Sequence, residues 1–307
     1  MYKLDHLQIG LKHPNLACRE INRQYYNFLS GHNYNKNGVK IMNEDWDVLI
    51  ILDACRNDMF LKACEIEGKL STKVSRGSNT REFLSGNFSD KTLSDTVYTT
   101  ANPQFYKHRR NINAEFYKTY NIWNSDLWDE NIGTVHPGDV TNVAKQKIEE
   151  HPHKRHIVHY LQPHYPFIDT KLEDIGRDIL EQNSDYSDIW GLQMRGEINI
   201  SKEMINKAYY KNLELVLDAV EDLLDNISGK IIITSDHGNI VGERSRPIPI
   251  KEWGHPSGIY TSELVEIPWL VIEKGERPEI HAGESVQIEE DITDEIVEDR
   301  LKDLGYV

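Results

Sequence analysis

Two short runs constrain this chain more than any other feature. Val48-Leu49-Ile50-Ile51-Leu52 ends on Asp53, and Ile231-Ile232-Ile233 passes through Thr234-Ser235 to Asp236-His237-Gly238. An unbroken apolar run of this length is a strand buried on both faces, as in a parallel sheet covered by helices. Open sheets of that kind keep their chemistry outside the carboxyl ends of the strands. Both runs end there on an acid, and the second adds an imidazole. One such end reads equally well as a polar turn whose Asp caps the next element. Two of them call for partners.

The rest of the chain supplies the alternation of an α/β fold. Ser201 to Ile227 keeps Ile205, Ala208, Tyr209, Leu213, Val216, Leu217, Val220 and Leu224 on one stripe and feeds directly into the second apolar run. That is half of a βαβ unit. Ala54 to Gly68 has helical spacing, and Asp139 to Glu150 forms a helix after Pro137-Gly138. Further strands are expected up to Val74, over Thr96–Ala101, over His156–Leu161 and over Ile267–Ile272. The stretch 105–130 reads as an inserted helix with loops, 169–200 as a polar excursion over the site, 273–291 as an acidic linker, and Ile292–Leu304 as a last helix. Residues 1–45 read as a helix around Leu16–Leu29 followed by a turn-rich loop.

Composition narrows the function. Against 35 basic residues stand 50 acidic ones, a formal net charge of -15. Nucleic acid and anionic membrane are therefore excluded as main partners. No apolar run approaches the ~20 residues needed to span a bilayer. Met1 to Gly10 lacks a signal-peptide core, and Cys18, Cys55 and Cys64 show no C-x-x-C spacing. These features set the expectation of a cytoplasmic protein with reduced thiols. Neither a Walker A motif nor G-x-G-x-x-G is present.

Candidate site residues gather at strand ends and loops: Asp53, Ser78 or Thr80, His164 between Pro163 and Pro166, Asp236 with His237, and His255 before Pro256. Ser78 and Thr80 lie at a helix start, where unpaired N–H groups and the dipole favour an anionic oxygen, and where either also reads as a plain N-cap. Carboxylates with imidazoles and no thiolate suit a divalent ion, Zn²⁺, Mn²⁺, Mg²⁺ or Ca²⁺. A metal beside a hydroxyl lowers its pKa and neutralises charge on a transferring phosphoryl or sulfuryl group.

Leu-Asp-Ala-Cys-Arg-Asn-Asp (52–58), Gln-Pro-His-Tyr-Pro-Phe (162–167), Thr-Ser-Asp-His-Gly (234–238) and Gly-His-Pro (254–256), in this order, resemble the alkaline phosphatase and sulfatase superfamily. The resemblance implies a three-layer α/β/α sandwich around a mostly parallel sheet, with a catalytic domain over 46–307 and residues 1–45 as an N-terminal helical extension. It implies one metal held by Asp53, Asp236, His237 and the nucleophile, with Ser78 first and Thr80 as rival. His164 and His255 would bind the substrate's anionic group or a second ion. Arg56, Arg76 and Arg81 are candidates to clamp ester oxygens. The implied activity is hydrolysis or transfer of phosphate mono- or diesters, on a small-molecule, lipid-linked or glycan substrate. The alternatives are a sulfatase working without formylglycine, or a silent anion-binding relative. Two departures matter. No cysteine begins C-x-P-x-R, and Tyr160 stands where the two-metal branch has an Asp.

Overall fold

The computed structural model describes residues 12–30, 33–170, 172, 189–286 and 292–306. Much of the 169–200 excursion, the start of the N-terminal extension and the end of the acidic linker lie outside them. Strand β1 (Val48–Leu52) is buried at every position, and β8 (Gly229–Ser235) at all but one. Their apolar runs cannot face water on either side, so they take the centre of the sheet.

Seven strands follow the order β2-β11-β8-β1-β7-β3-β4. The others are β2 (Lys69–Val74), β3 (Thr92–Thr100), β4 (Glu115–Asn121), β7 (Arg155–Tyr160) and β11 (Glu266–Lys274), while β5 (Trp128–Asp129) and β6 (Thr134–Val135) pair with each other outside this sheet. Strands β8, β1, β7, β3 and β4 run parallel, while β11 lies antiparallel between β8 and β2. The register sets Leu52 beside Tyr160 on one side and Ser235 on the other, so these strands stop at one level. Everything that follows them meets at one edge.

Alternate residues of β1 point to two cores. Val48, Ile50 and Leu52 pack under the helices Pro137–Glu150 and Lys202–Asp225, with Val140, Leu213 and Val216. Leu49 and Ile51 pack with Phe83, Leu84 and Phe88 of the helix Thr80–Phe88 and Ile112 of the helix Gln104–Ile112. Helices thus cover both faces, giving the expected three-layer α/β/α sandwich.

Two departures from the sequence reading stand out. The stretch 105–130 contains β4, an edge strand with only one fully buried residue and hence no apolar run to betray it. Beyond β8, Ile240–Arg244 (β9) and Lys251–Gly254 (β10) form an antiparallel hairpin. The helix Pro14–Ser30 braces that hairpin. Arg19 Nε donates to Glu252 Oε1 at 2.8 Å, and Asn22 Nδ2 donates to the Ile248 carbonyl at 2.9 Å.

Candidate active site

Each central strand delivers one part. After β1 the chain turns at Ala54, held at a positive φ of 55°, and Asp53 is left inside with no exposure. After β8 come Asp236 and His237, also fully buried. The two carboxylates share a pattern. Asp236 Oδ1 accepts from the backbone N–H groups of Ala54 (3.0 Å) and His237 (2.8 Å). Asp53 Oδ2 accepts from Asn102 Nδ2. The other oxygen of each, Asp53 Oδ1 and Asp236 Oδ2, is buried without a hydrogen-bond partner. Both of these oxygens lie near His237 Nε2, at 3.5 and 3.3 Å. The Nδ1–H of His237 donates to the Gly238 carbonyl at 2.7 Å, which turns the Nε2 lone pair toward the acids.

Thr80 opens its helix beside this group. Its hydroxyl lies 3.3 Å from His237 Nε2 and 3.4 Å from Asp53 Oδ2. Asn79 is the N-cap, accepting from Glu82 N–H, so neither Ser78 nor Thr80 serves in that role. Of the two candidate hydroxyls, Thr80 is the one set beside Asp53 and His237. Ser78 Oγ donates within 3.0 Å of Glu82 Oε2 and the Pro256 carbonyl, and it accepts from Gly258 N–H. Those bonds tie the helix start to the loop that carries His255.

His164 and His255 meet as a pair, Nε2 to Nε2, at 2.9 Å. His164 Nδ1–H points at the Tyr165 carbonyl, so its Nε2 accepts and His255 Nε2–H donates. Asn212, buried on the long helix, fixes the His164 loop by donating to the carbonyls of His164 (3.1 Å) and Pro166 (2.8 Å). The Tyr160 hydroxyl is bonded to Thr141 at 2.7 Å. It supplies no second acid to the site.

Besides Asn212, three further side chains belong here that sequence reasoning did not single out. Buried His159 on β7 has Nε2 unpartnered, 3.9 Å from Asp53 Oδ2, and Nδ1 held by the Tyr98 hydroxyl at 2.9 Å. Ligand atoms of Asp53, His159 and Asp236 lie within 4.8 Å of one another. Asn102 lies in the loop after β3, and Tyr306 follows the helix Asp294–Asp303. Polar residues inside a wholly buried strand were the available signal for His159. Of the three arginines, Arg56 is engaged by Asp58 and Glu243, Arg76 packs on Tyr34, and Arg81 is exposed.

Electrostatics follow from two buried acids beside imidazoles. Burial pushes Asp53 up, but the neighbouring His237, His164 and His159 outweigh it and hold the acid well below its usual range. Burial and the charge of Asp53 raise Asp236. Burial opposes charge on His237, yet Asp236 and Asp53 lift it to about 9. Without a cation the cluster is a strained sharing of protons. Two buried orphan oxygens and a lone pair converging on one point are a donor set that fits a divalent ion.

No protein-family model and no curated protein matches the sequence. Similar solved structures include the C-terminal periplasmic domain of EptC from Escherichia coli in complex with zinc. It has 14% identity and a TM-score of 0.49 over 74% of this chain and 72% of that one. The soluble domain of lipooligosaccharide phosphoethanolamine transferase A from Neisseria meningitidis matches at 11% identity and TM-score 0.47, over 73% and 75%. An alkaline phosphatase superfamily protein from Vibrio parahaemolyticus matches at 13% and 0.44, over 80% and 64%. One expectation is corrected by them: the Escherichia coli structure is a periplasmic domain, so the cytoplasmic placement drawn from composition does not stand. Among the described residues no helix is long and apolar enough to cross a membrane. At these identities the chemistry rests on this chain's own side chains.

Proposed function

We propose that the protein is a metal-dependent enzyme that transfers or hydrolyses phosphate esters, with Thr80 as nucleophile. The observation that carries this reading is the Thr80 hydroxyl 3.3 Å from His237 Nε2, the atom on which two buried carboxylate oxygens without hydrogen-bond partners converge. Asp53, Asp236, His237 and Thr80 would hold the ion, with Zn²⁺, Mn²⁺, Mg²⁺ and Ca²⁺ all within range. Once bound, it would supply positive charge that acidifies the threonine hydroxyl and neutralises the phosphoryl oxygens.

The side chains then divide the work. Thr80 Oγ attacks phosphorus as the bond to the leaving oxygen breaks, and its proton passes to solvent or a neighbouring base. His255 gives its Nε2–H to His164 while no ester is bound, and on substrate binding that proton would turn to a non-bridging or leaving oxygen. A water or an acceptor alcohol then displaces Thr80 from phosphorus and completes hydrolysis or transfer. The substrate is a small-molecule, lipid-linked or glycan phosphate ester. Residues 46–307 form the catalytic domain and residues 1–45 an N-terminal extension, whose helix Pro14–Ser30 steadies the hairpin leading to His255.

The test is direct. Purified protein is assayed for bound metal and for turnover of nitrophenyl phosphate, bis-nitrophenyl phosphate and nitrophenyl sulfate with each ion. Thr80→Ala is expected to lower turnover by a factor on the order of a thousand while keeping the metal. Ser78→Ala should lower stability by about 1–2 kcal/mol and leave most of the activity, because it removes a buried hydrogen bond. The opposite ranking of the two variants would sink the assignment.

A further inference from the structure

Among the described residues two arginines are more than nine-tenths buried, and only one is satisfied. Arg56, 7% exposed, gives Nε and Nη2 to Asp58 and Nη1 to Glu243 and the Asn239 carbonyl. Arg76, 5% exposed, has neither Nε nor Nη1 hydrogen-bonded to anything. Its guanidinium lies 4.7 Å from the centre of the Tyr34 ring, an attraction that compensates only part of a buried charge. It also packs against Gly86, where a Cβ would stand 2.9 Å from Arg76 Cβ, 3.1 Å from its Nε and 3.3 Å from the Tyr34 ring. Gly86 lies inside a helix, where Ala would form it better, so close packing of these two side chains accounts for the glycine.

The neighbours of Arg76 deepen the imbalance. Among the described residues, Lys40 and Lys91 have no carboxylate partner either. Lys40 lies two residues beyond Gly38, which packs on the Arg76 backbone, and Lys91 lies three residues beyond the helix that carries Gly86; burial first, then the charges of Arg76 and Lys40, push the Lys91 ammonium down. Three cations without a carboxylate partner in one neighbourhood, one of them buried, stand out in a chain of net charge -15. Repulsion of this kind is relieved by an anion that bears several negative oxygens. Arg76 is held by Asn35, Tyr34 and Gly86, none of which belongs to the metal cluster.

We propose that Arg76, backed by Tyr34 and flanked by Lys40 and Lys91, is a second anion site that takes a phosphate-type dianion, free or borne on a lipid head group. The planar guanidinium offers the fork of donors that such an oxyanion accepts, and the lysines add charge without fixed geometry.

Inorganic phosphate titrated calorimetrically into the metal-free full chain at low salt tests the free form. Saturable binding is expected. Lys40→Ala/Lys91→Ala should weaken it at least tenfold, and so should Gly86→Ala, which leaves every charge in place. Asp236→Asn should leave it unchanged, which separates this site from the metal cluster. Co-sedimentation with phosphatidylcholine vesicles, with and without phosphatidic acid, tests the lipid-borne form. Sedimentation that needs phosphatidic acid and is lost in Lys40→Ala/Lys91→Ala also supports the site. The proposal is overturned by binding of neither probe, by binding that survives the lysine double variant, or by phosphate binding that Asp236→Asn abolishes.

Discussion

Asp47 and Asp53 flank the two ends of strand β1, both buried, and they live in opposite circumstances. Asp47, at the amino end, is fully engaged. Its carboxylate receives Arg277 through Nε and Nη2 at 2.8 Å each, and Oδ2 also accepts the Lys230 N–H at 2.7 Å. Asp53, at the carboxyl end, keeps one oxygen without any donor and faces a second acid. The same residue type on one strand is a clamp at one edge and an unspent ligand at the other. Structure is closed where it only supports, and left open where chemistry is to happen.

Exchanging charge for amide at both ends should break the symmetry outright. Asp53→Asn is expected to abolish metal binding and cut turnover by a factor on the order of a thousand or more. The metal-free variant should melt no lower than its parent, because a buried like charge is gone. Asp47→Asn should do the reverse. It keeps the metal and the turnover number, and costs about 2 kcal/mol of stability through loss of the Arg277 pair. Thermal melts with and without zinc read both effects. An Asp47→Asn protein that folds well but binds no metal would erase the distinction.

Strand β7 repeats the comparison with histidines. His156 at its amino end is bonded through Nε2 to the His151 carbonyl at 3.0 Å, whereas His159 near the other end has Nε2 unpartnered beside Asp53. Burial drives His156 down to about 4 from an ordinary 6.5. The sign follows from that. The unfolded chain takes up the proton at about pH 6.5 and the folded chain only near 4, so this contribution is intact above 6.5 and drains away as pH falls toward 4. The difference of 2.5 pKa values corresponds to about 3 kcal/mol. His156→Gln should therefore flatten the acid limb of stability across that window, measured by denaturant titration at successive pH values. An unchanged acid limb would show that other groups carry it.

How much of this was legible follows the same division. The carboxyl edge announced itself because a doubly buried strand must be apolar, so Asp53 and Asp236-His237 interrupt an otherwise uniform run. Proline-braced His164 and His255 were visible for a similar reason. Choosing between Ser78 and Thr80 needed the direction in which the helix start points, and two residues of spacing do not reveal it. His159 and Asn212 are single polar residues within regular elements and Asn102 sits in a short loop, and only the fold shows what they face. Strand β4, half exposed, and the β9–β10 hairpin carry no uninterrupted apolar run. The compartment is not a property that composition encodes.

The finest difference between the edges concerns Tyr306, which closes the carboxyl edge from the end of the chain. The helix Asp294–Asp303 ends with Gly305 at φ 73°, while Gly305 N–H and Tyr306 N–H return to the carbonyls of Lys302 and Leu301 at 2.9 Å each. This left-handed turn, cheap only for glycine, swings Tyr306 back over the site. Its ring stacks on His164 with centroids 5.0 Å apart at 16°, and its hydroxyl lies 3.4 Å from Asp53 Oδ2 and 3.5 Å from Thr80 Oγ1. Stacking positions the histidine pair, while the long hydroxyl contacts only trim the field around Thr80. Tyr306→Phe should accordingly lower turnover by a few-fold, since a net hydrogen bond of this kind is worth about 1 kcal/mol. Tyr306→Ala, which frees His164 as well, should cost on the order of a hundredfold, reported by kcat with metal content unchanged. Equal losses from the two variants would place the whole effect in the hydroxyl and make Tyr306 a direct participant in the chemistry rather than a support for the histidines.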